Sequence, residues 1–127
     1  TSPHLISYTE RISVNGADIT EEDFALAADA VKAASEAMQK DGQEAPTEFE
    51  LLTAMGFWYF RRQKVDYAVI EVGMGGLLDS TNVVMPVVSV ITNVAMDHTN
   101  YCGITLEEIA HHNAGCSNQG IHEVSAA

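Results

Sequence analysis

Beyond residue 64 the sequence contains no lysine and no arginine. All six basic residues (Arg11, Lys32, Lys40, Arg61, Arg62 and Lys64) precede that point, and against 18 acidic residues they leave a net charge of −12. A nucleic-acid surface needs cations that displace counterions from the phosphate backbone, so this charge pattern speaks against a nucleic-acid partner. By the same logic, a polyphosphate bound near the second half needs a metal ion or basic groups supplied from elsewhere. Long apolar runs are also missing: none approaches the ~18 residues of a membrane span, and no membrane partner is expected. No stretch shows the positive n-region and apolar h-region of a signal peptide. Cysteine is scarce. Cys102 and Cys116 match no metal-binding spacing and give no disulfide framework. Idle thiols in a reducing cytoplasm are the expectation. The sequence starts at Thr1 rather than methionine, and an excerpt of a longer protein is expected.

What is present suits a folded α/β chain of 127 residues, 46% apolar. Residues 10–14 read as a short strand, and Asn15-Gly16 supplies a turn with positive φ before residues 17–19. Thr20-Glu21-Glu22-Asp23 resembles a capping box. Phe24, Ala28, Val31, Ser35 and Met38 then recur at helical spacing and predict a helix over 21–39. Residues 40–45 form a polar loop. Thr47 and Glu50 mark a second helix start, running to about residue 63, with Phe49, Leu52, Met55, Trp58 and Tyr59 facing a core. Two nearly continuous apolar runs, YAVIEV at 67–72 and VVSVIT at 87–92, carry the mark of strands buried on both faces. Thr105 to Glu108 caps a short helix that Gly115 should end. Residues 116–127 carry no readable signal. Buried strands alternating with helices predict an α/β fold of three αβα layers around a mainly parallel sheet. In such sheets ligands bind beyond the carboxyl ends of the strands. Glu71 closes the first run, while Asn93, Asp97 and His98 follow the second.

The segment EVGMGG, residues 71–76, suggests a phosphate loop, but its pattern does not match one. A dinucleotide fingerprint needs G-x-G-x-x-G opening a helix, and here Leu78 takes the third glycine's place. No G-x-x-x-x-G-K-[ST] occurs among these residues. Gly73, Gly75 and Gly76 are read instead as a tight turn of unusual φ. That leaves a carboxylate at the end of a buried strand, costly when ionised unless a positive partner stands beside it. With no Lys or Arg in this half, a divalent cation fits Glu71, and His98 is the second candidate ligand. A lone histidine is more often structural, so spacing alone does not establish that pair.

TSPHL (1–5), ERISVNG (10–16), PTEFELLTA (46–54), EVGMGGLLDSTNVV (71–84), SVITNVAMDH (89–98) and GITLEEIAHHNAG (103–115) occur in one order. In that order the chain resembles folylpolyglutamate synthase and dihydrofolate synthase of the Mur ligase superfamily. The resemblance implies an ATP-dependent ligase that phosphorylates the terminal carboxylate of a folate or dihydropteroate, after which the amine of L-glutamate attacks the acyl phosphate. It implies Mg2+, with Mn2+ as a substitute, held by Glu71 and His98. Ser2 and His4 would lie on the folate side of the cleft, and Asp79 would be a further substrate contact.

Two departures stand out. Relatives carry a Walker A loop of the GTNGKGS type upstream of TSPHL and a separate C-terminal domain that helps hold glutamate and ATP. The resemblance thus makes residues 1–127 part of a central ATP-binding domain lacking both segments, and inactive by itself. The helix after DH usually presents a lysine that is carbamylated beside the metal, whereas this chain has Asn113, which has no amine to modify. AGCSNQGIH likewise departs from the usual pattern at Asn118 and His122. A non-catalytic relative with a ligand-binding or assembly role is therefore the alternative expectation.

Overall fold

The computed structural model describes residues 1–95, 102–116 and the backbone of 122–125. It falls into two compact units, Thr1–Glu71 and Val72–Ala127.

The first unit opens with a 3-10 turn, Tyr8–Arg11, where the sequence pattern predicts a strand. The reason is local. Ser7 caps the turn by accepting from the Thr9 N–H, and Glu10 reaches back to the Ser7 N–H, so the chain curls before it extends. Only Ser13–Val14 (β1) is strand, paired antiparallel with Ala17–Asp18 (β2). Asn15 and Gly16, with φ of 54° and 80°, join them in the left-handed conformation that a two-residue hairpin demands.

Helix α1, Glu21–Lys40, starts at Thr20, whose hydroxyl accepts from the Asp23 N–H. The Asp23 carboxylate instead faces Arg62 at 3.9 Å. Helix α2, Glu48–Gln63, has the full capping box of Thr47 and Glu50 and ends on Lys64 in the left-handed region. The two helices pack over the hairpin. Ile12, Ile19, Ala27, Met55 and Tyr59 are buried together, with Phe24, Ala28, Val31, Leu52 and Trp58 half-buried around them. Met38, expected on the same face, is exposed because it lies past the last of these contacts.

Residues 67–72 correct the expectation of a buried strand. They are not paired in a ladder, and Tyr67 and Val69 are 86% and 97% exposed. A run that is apolar on both faces becomes a strand only with neighbours on both edges, and the described residues supply none.

In the second unit, Val88–Ile91 (β3) pairs in parallel with His122–Ser125 (β4), residue 88 facing 122 and residue 91 facing 125. β4 arises where the sequence gives no signal. Helix α3, Leu106–Ala114, has a capping box of Thr105 and Glu108. Gly115 follows it with φ −63°, so the helix does not end in the left-handed glycine cap expected of it. Among the described residues the sheets are one antiparallel and one parallel pair, and the three-layer arrangement is not formed by them.

Candidate functional site

In the first unit the TSPHL segment is held from two sides. The Glu10 carboxylate accepts the N–H groups of Leu5, Ile6 and Ser7 at 2.8, 2.8 and 2.7 Å. These bonds hold the Glu10 carboxyl below the ordinary glutamate value, with the Leu5 bond the largest cause. The Thr1 ammonium donates to the Arg11 carbonyl at 2.9 Å.

This packing delivers Ser2 to Glu71. The Ser2 N–H donates to Glu71 Oε2 at 3.0 Å, across 69 positions of sequence. Glu71 is exposed, which corrects the expectation of a costly buried carboxylate. Among the described residues its side chain keeps about half of its surface open. Its charge therefore requires no cation for solvation.

The donor set still suits magnesium. That ion takes oxygen ligands, keeps several waters and is commonly bound through one or two carboxylates plus substrate phosphates, rather than in an all-protein cage. An exposed carboxylate beside a serine offers such a foothold, and the Ser2 N–H falls on Oε2. No cluster of three or more His, Cys, Asp or Glu forms a metal cage among the described residues. His98 and Asp97, the expected companions of Glu71, lie outside the described residues.

His4 belongs to a compact polar cluster. Its ring stacks on Tyr8 with centroids 4.3 Å apart, and Arg11 donates from Nε to His4 Nδ1 at 2.8 Å. The Arg11 guanidinium also lies 5.5 Å from the centroid of the Tyr8 ring. Tyr8 donates its hydroxyl to Glu48 at 2.7 Å, a bond to an anion that raises the phenol above its usual range. Arg11 and Glu10, which fix the segment, have no distinguishing signal in the sequence beyond their place in ERISVNG.

The glycine turn lies in the second unit. Asp79 organises it: Oδ2 accepts the N–H groups of Gly73 and Met74 at 3.1 and 2.9 Å, and Oδ1 accepts the N–H and hydroxyl of Thr81. Of the three glycines only Gly75, with φ 64°, occupies the left-handed region, so unusual φ accounts for one and not for the other two. Close docking against α3 accounts for Gly76. A Cβ there would lie 2.6 Å from the Asn113 carbonyl oxygen, and one on Gly75 would meet His112 and Cys102. Leu77 N–H donates to the His112 carbonyl at 3.0 Å, and Gly76 N–H approaches His112 Nδ1 at 3.4 Å.

Gly115 completes the contact from the other side, where a Cβ would come within 2.5 Å of the Leu77 Cβ. The turn is therefore a docking surface for the helix that carries Asn113. Beside it Met74, Leu78, Asp79, Ser80, Cys102 and His112 line an open cleft of about 220 Å³. Sequence pattern gives no role to His112 and reads Cys102 only as an idle thiol. Their places depend on α3 folding back onto the turn.

Comparison with known proteins identifies the class. The Mur ligase middle domain matches residues 15–115, and the chain belongs to that family. Within it, the chain is 46% identical over 127 residues to the dihydrofolate synthase/folylpolyglutamate synthase of Bacillus subtilis, covering 99% of this chain and 30% of that protein. It is 47% identical over 126 residues to the folylpolyglutamate synthase of Lacticaseibacillus casei, covering 98% and 29%. A solved FPGS–AMPPCP–folate complex superposes with a TM-score of 0.93 at 46% identity, over 98% of this chain and 31% of that one. The chain thus spans about 30% of the length of these relatives.

Proposed function

We propose that the chain is part of the central ATP-binding domain of an ATP-dependent ligase that joins L-glutamate to a folate, or to dihydropteroate, through an acyl phosphate. The observation that carries this reading is the Ser2–Glu71 bond, which unites TSPHL with EVG on one carboxylate. High identity over nearly the whole chain to enzymes with these names supports the substrate class. In the whole protein, residues 67–72 and β3 would belong to a three-layer, mainly parallel sheet. The exposed apolar side chains of Tyr67, Val69, Val87 and Val90 support that placement.

Glu71 and His98 would hold Mg2+, or Mn2+ in its place, with Ser2 beside Glu71. Bound there, the metal would supply charge neutralisation on phosphate oxygens. The chain's own residues position that site: the TSPHL segment orients Glu71 through the Ser2 N–H, and Glu10 keeps the segment in shape. His4 would contact the folate side. Asp79, whose carboxylate is committed to its loop, would line the substrate cleft rather than supply the main contact. The phosphate cradle and the glutamate site would come from segments outside these 127 residues, and a cytoplasmic location fits this chemistry.

Asn113 favours a second reading, a non-catalytic relative that retains ligand binding or assembly, because its amide cannot be carbamylated. One experiment separates the two. The 127 residues replace their counterpart in the Bacillus subtilis relative, and ATP- and folate-dependent incorporation of labelled glutamate is measured. The ligase reading expects activity that Asn113→Lys raises by at least tenfold and Glu71→Gln abolishes. No incorporation in the Asn113→Lys chimera, despite normal folding, would favour the non-catalytic relative. The isolated chain is expected to incorporate none.

A further inference from the structure

We infer that Arg11 is a positioning residue that locks His4 into one tautomer and so makes it a hydrogen-bond donor to its ligand. A guanidinium is always protonated and has only donors, so the Nε–H of Arg11 at 2.8 Å requires an acceptor at His4 Nδ1. Nδ1 therefore carries a lone pair, and the neutral ring keeps its proton on Nε2. Turning the ring over would set a carbon against the arginine donor and forfeit the bond, so the assignment follows from the contact itself.

The ring is further held by stacking on Tyr8, whose hydroxyl is anchored to Glu48 on α2. Arg11 in turn lies near the Tyr8 ring, so imidazole, phenol and guanidinium restrain one another. A half-buried histidine held this way presents Nε2–H to whatever it binds. Its ligand atom must be an acceptor, such as a carbonyl or carboxylate oxygen or an unprotonated ring nitrogen, and not an ammonium group. This deepens the reading of His4 as a folate-side contact and rests on it for the identity of the ligand. The tautomer itself does not depend on that reading.

The test is a long-range proton–nitrogen NMR correlation of the 15N-labelled 127-residue chain at about pH 8, above the ordinary imidazole range. Wild type should show His4 with an unprotonated Nδ1 and a protonated Nε2. Arg11→Met should move both nitrogen resonances toward each other as the tautomers mix, and Arg11→Lys, which restores a donor, should move them back. Tyr8→Phe keeps the ring and should leave the tautomer unchanged. A protonated Nδ1 in wild type, or identical spectra for wild type and a folded Arg11→Met variant, would overturn the assignment. Folate is then added. A shift of the His4 Nε2–H that is weakened in Arg11→Met supports the donor role, whereas folate binding that leaves His4 unmoved overturns it. Absence of any folate shift in the chain sinks the substrate reading, and the tautomer spectra still decide the role of Arg11.

Discussion

Residues 1–71 are held mainly by a buried apolar core, whereas the described part of 72–127 is held mainly by close backbone contacts. In the first unit Ile12, Ile19, Ala27, Met55 and Tyr59 share one interior. In the second, the buried side chains among the described residues are Cys102 and Ile109, with the polar Thr81 and Ser89, and Gly76 is buried beside them. What binds that unit instead is a set of specific bonds. Asn82 donates to the carbonyls of Leu77 and Gly115 at 3.0 and 3.1 Å, Ser89 donates to that of Cys116 at 3.2 Å, and Asp79 ties the glycine turn. A core tolerates substitutions that keep its volume and fails when a buried side chain is truncated, whereas a backbone contact at van der Waals distance fails when a side chain is added. The two units should therefore fail in different ways.

The largest effect is expected from Met55→Ala in the first unit. Deleting a buried side chain of this size costs about 2–5 kcal/mol, through lost transfer energy and the cavity left behind. Hydrogen exchange followed by mass spectrometry should show α1 and α2 losing protection together, because both helices line the same interior. Loss confined to α2 would show that the core is not shared. Next come paired glycine substitutions. Gly76→Ala sets a Cβ 2.6 Å from the Asn113 carbonyl and should cost at least the ~1–3 kcal/mol typical of overpacking. Protection should fall across the turn and α3. Gly56→Ala, in the interior of α2, places its Cβ 4.0 Å from Ile12 Cγ1 and should stabilise the helix by about 0.5–1 kcal/mol. Equal destabilisation by the two would erase the distinction between the units.

The same division explains what the sequence made legible. Helix starts are written locally. Thr20, Thr47 and Thr105 each accept from the N–H three residues on, and all three helices begin where those residues place them. The Asn15-Gly16 hairpin is equally local. Strands were read less well, because a strand is defined by a partner. The 67–72 run has the right composition and no described neighbour, while β4, with the unpromising sequence HEVS, has β3 beside it. For the site, the order of motifs pointed to Glu71 and Ser2, and the fold supplies the bond between them. The purpose of Gly76 and Gly115 was out of reach, since their lack of a side chain answers to Asn113 in one case and to Leu77 in the other, both far away along the sequence.

The smallest predicted effect concerns acid, and it tests the local bonds that both units share. Glu10 and Glu50 in the first unit and Glu108 in the second all have carboxyls held below the ordinary glutamate value of 4.5. In each the largest cause is a backbone N–H: Leu5 for Glu10, Thr47 for Glu50 and Ile104 for Glu108. A carboxyl whose value is depressed in the folded state contributes stability that is fully present above 4.5 and lost as pH falls through the depressed value. Glu50 and Glu108 are exposed and Glu10 is half-buried at the surface, so the loss at each is small. Carboxyl carbon NMR should place all three midpoints below 4.5, with the Leu5, Thr47 and Ile104 amide protons moving upfield in step. A midpoint at or above 4.5 for any one would remove its capping bond from the folded ensemble. Because α3 has few apolar contacts beside its capping box, its amides should lose protection at higher pH than those of α2. Loss in the reverse order would show that buried apolar area is not what distinguishes the two units.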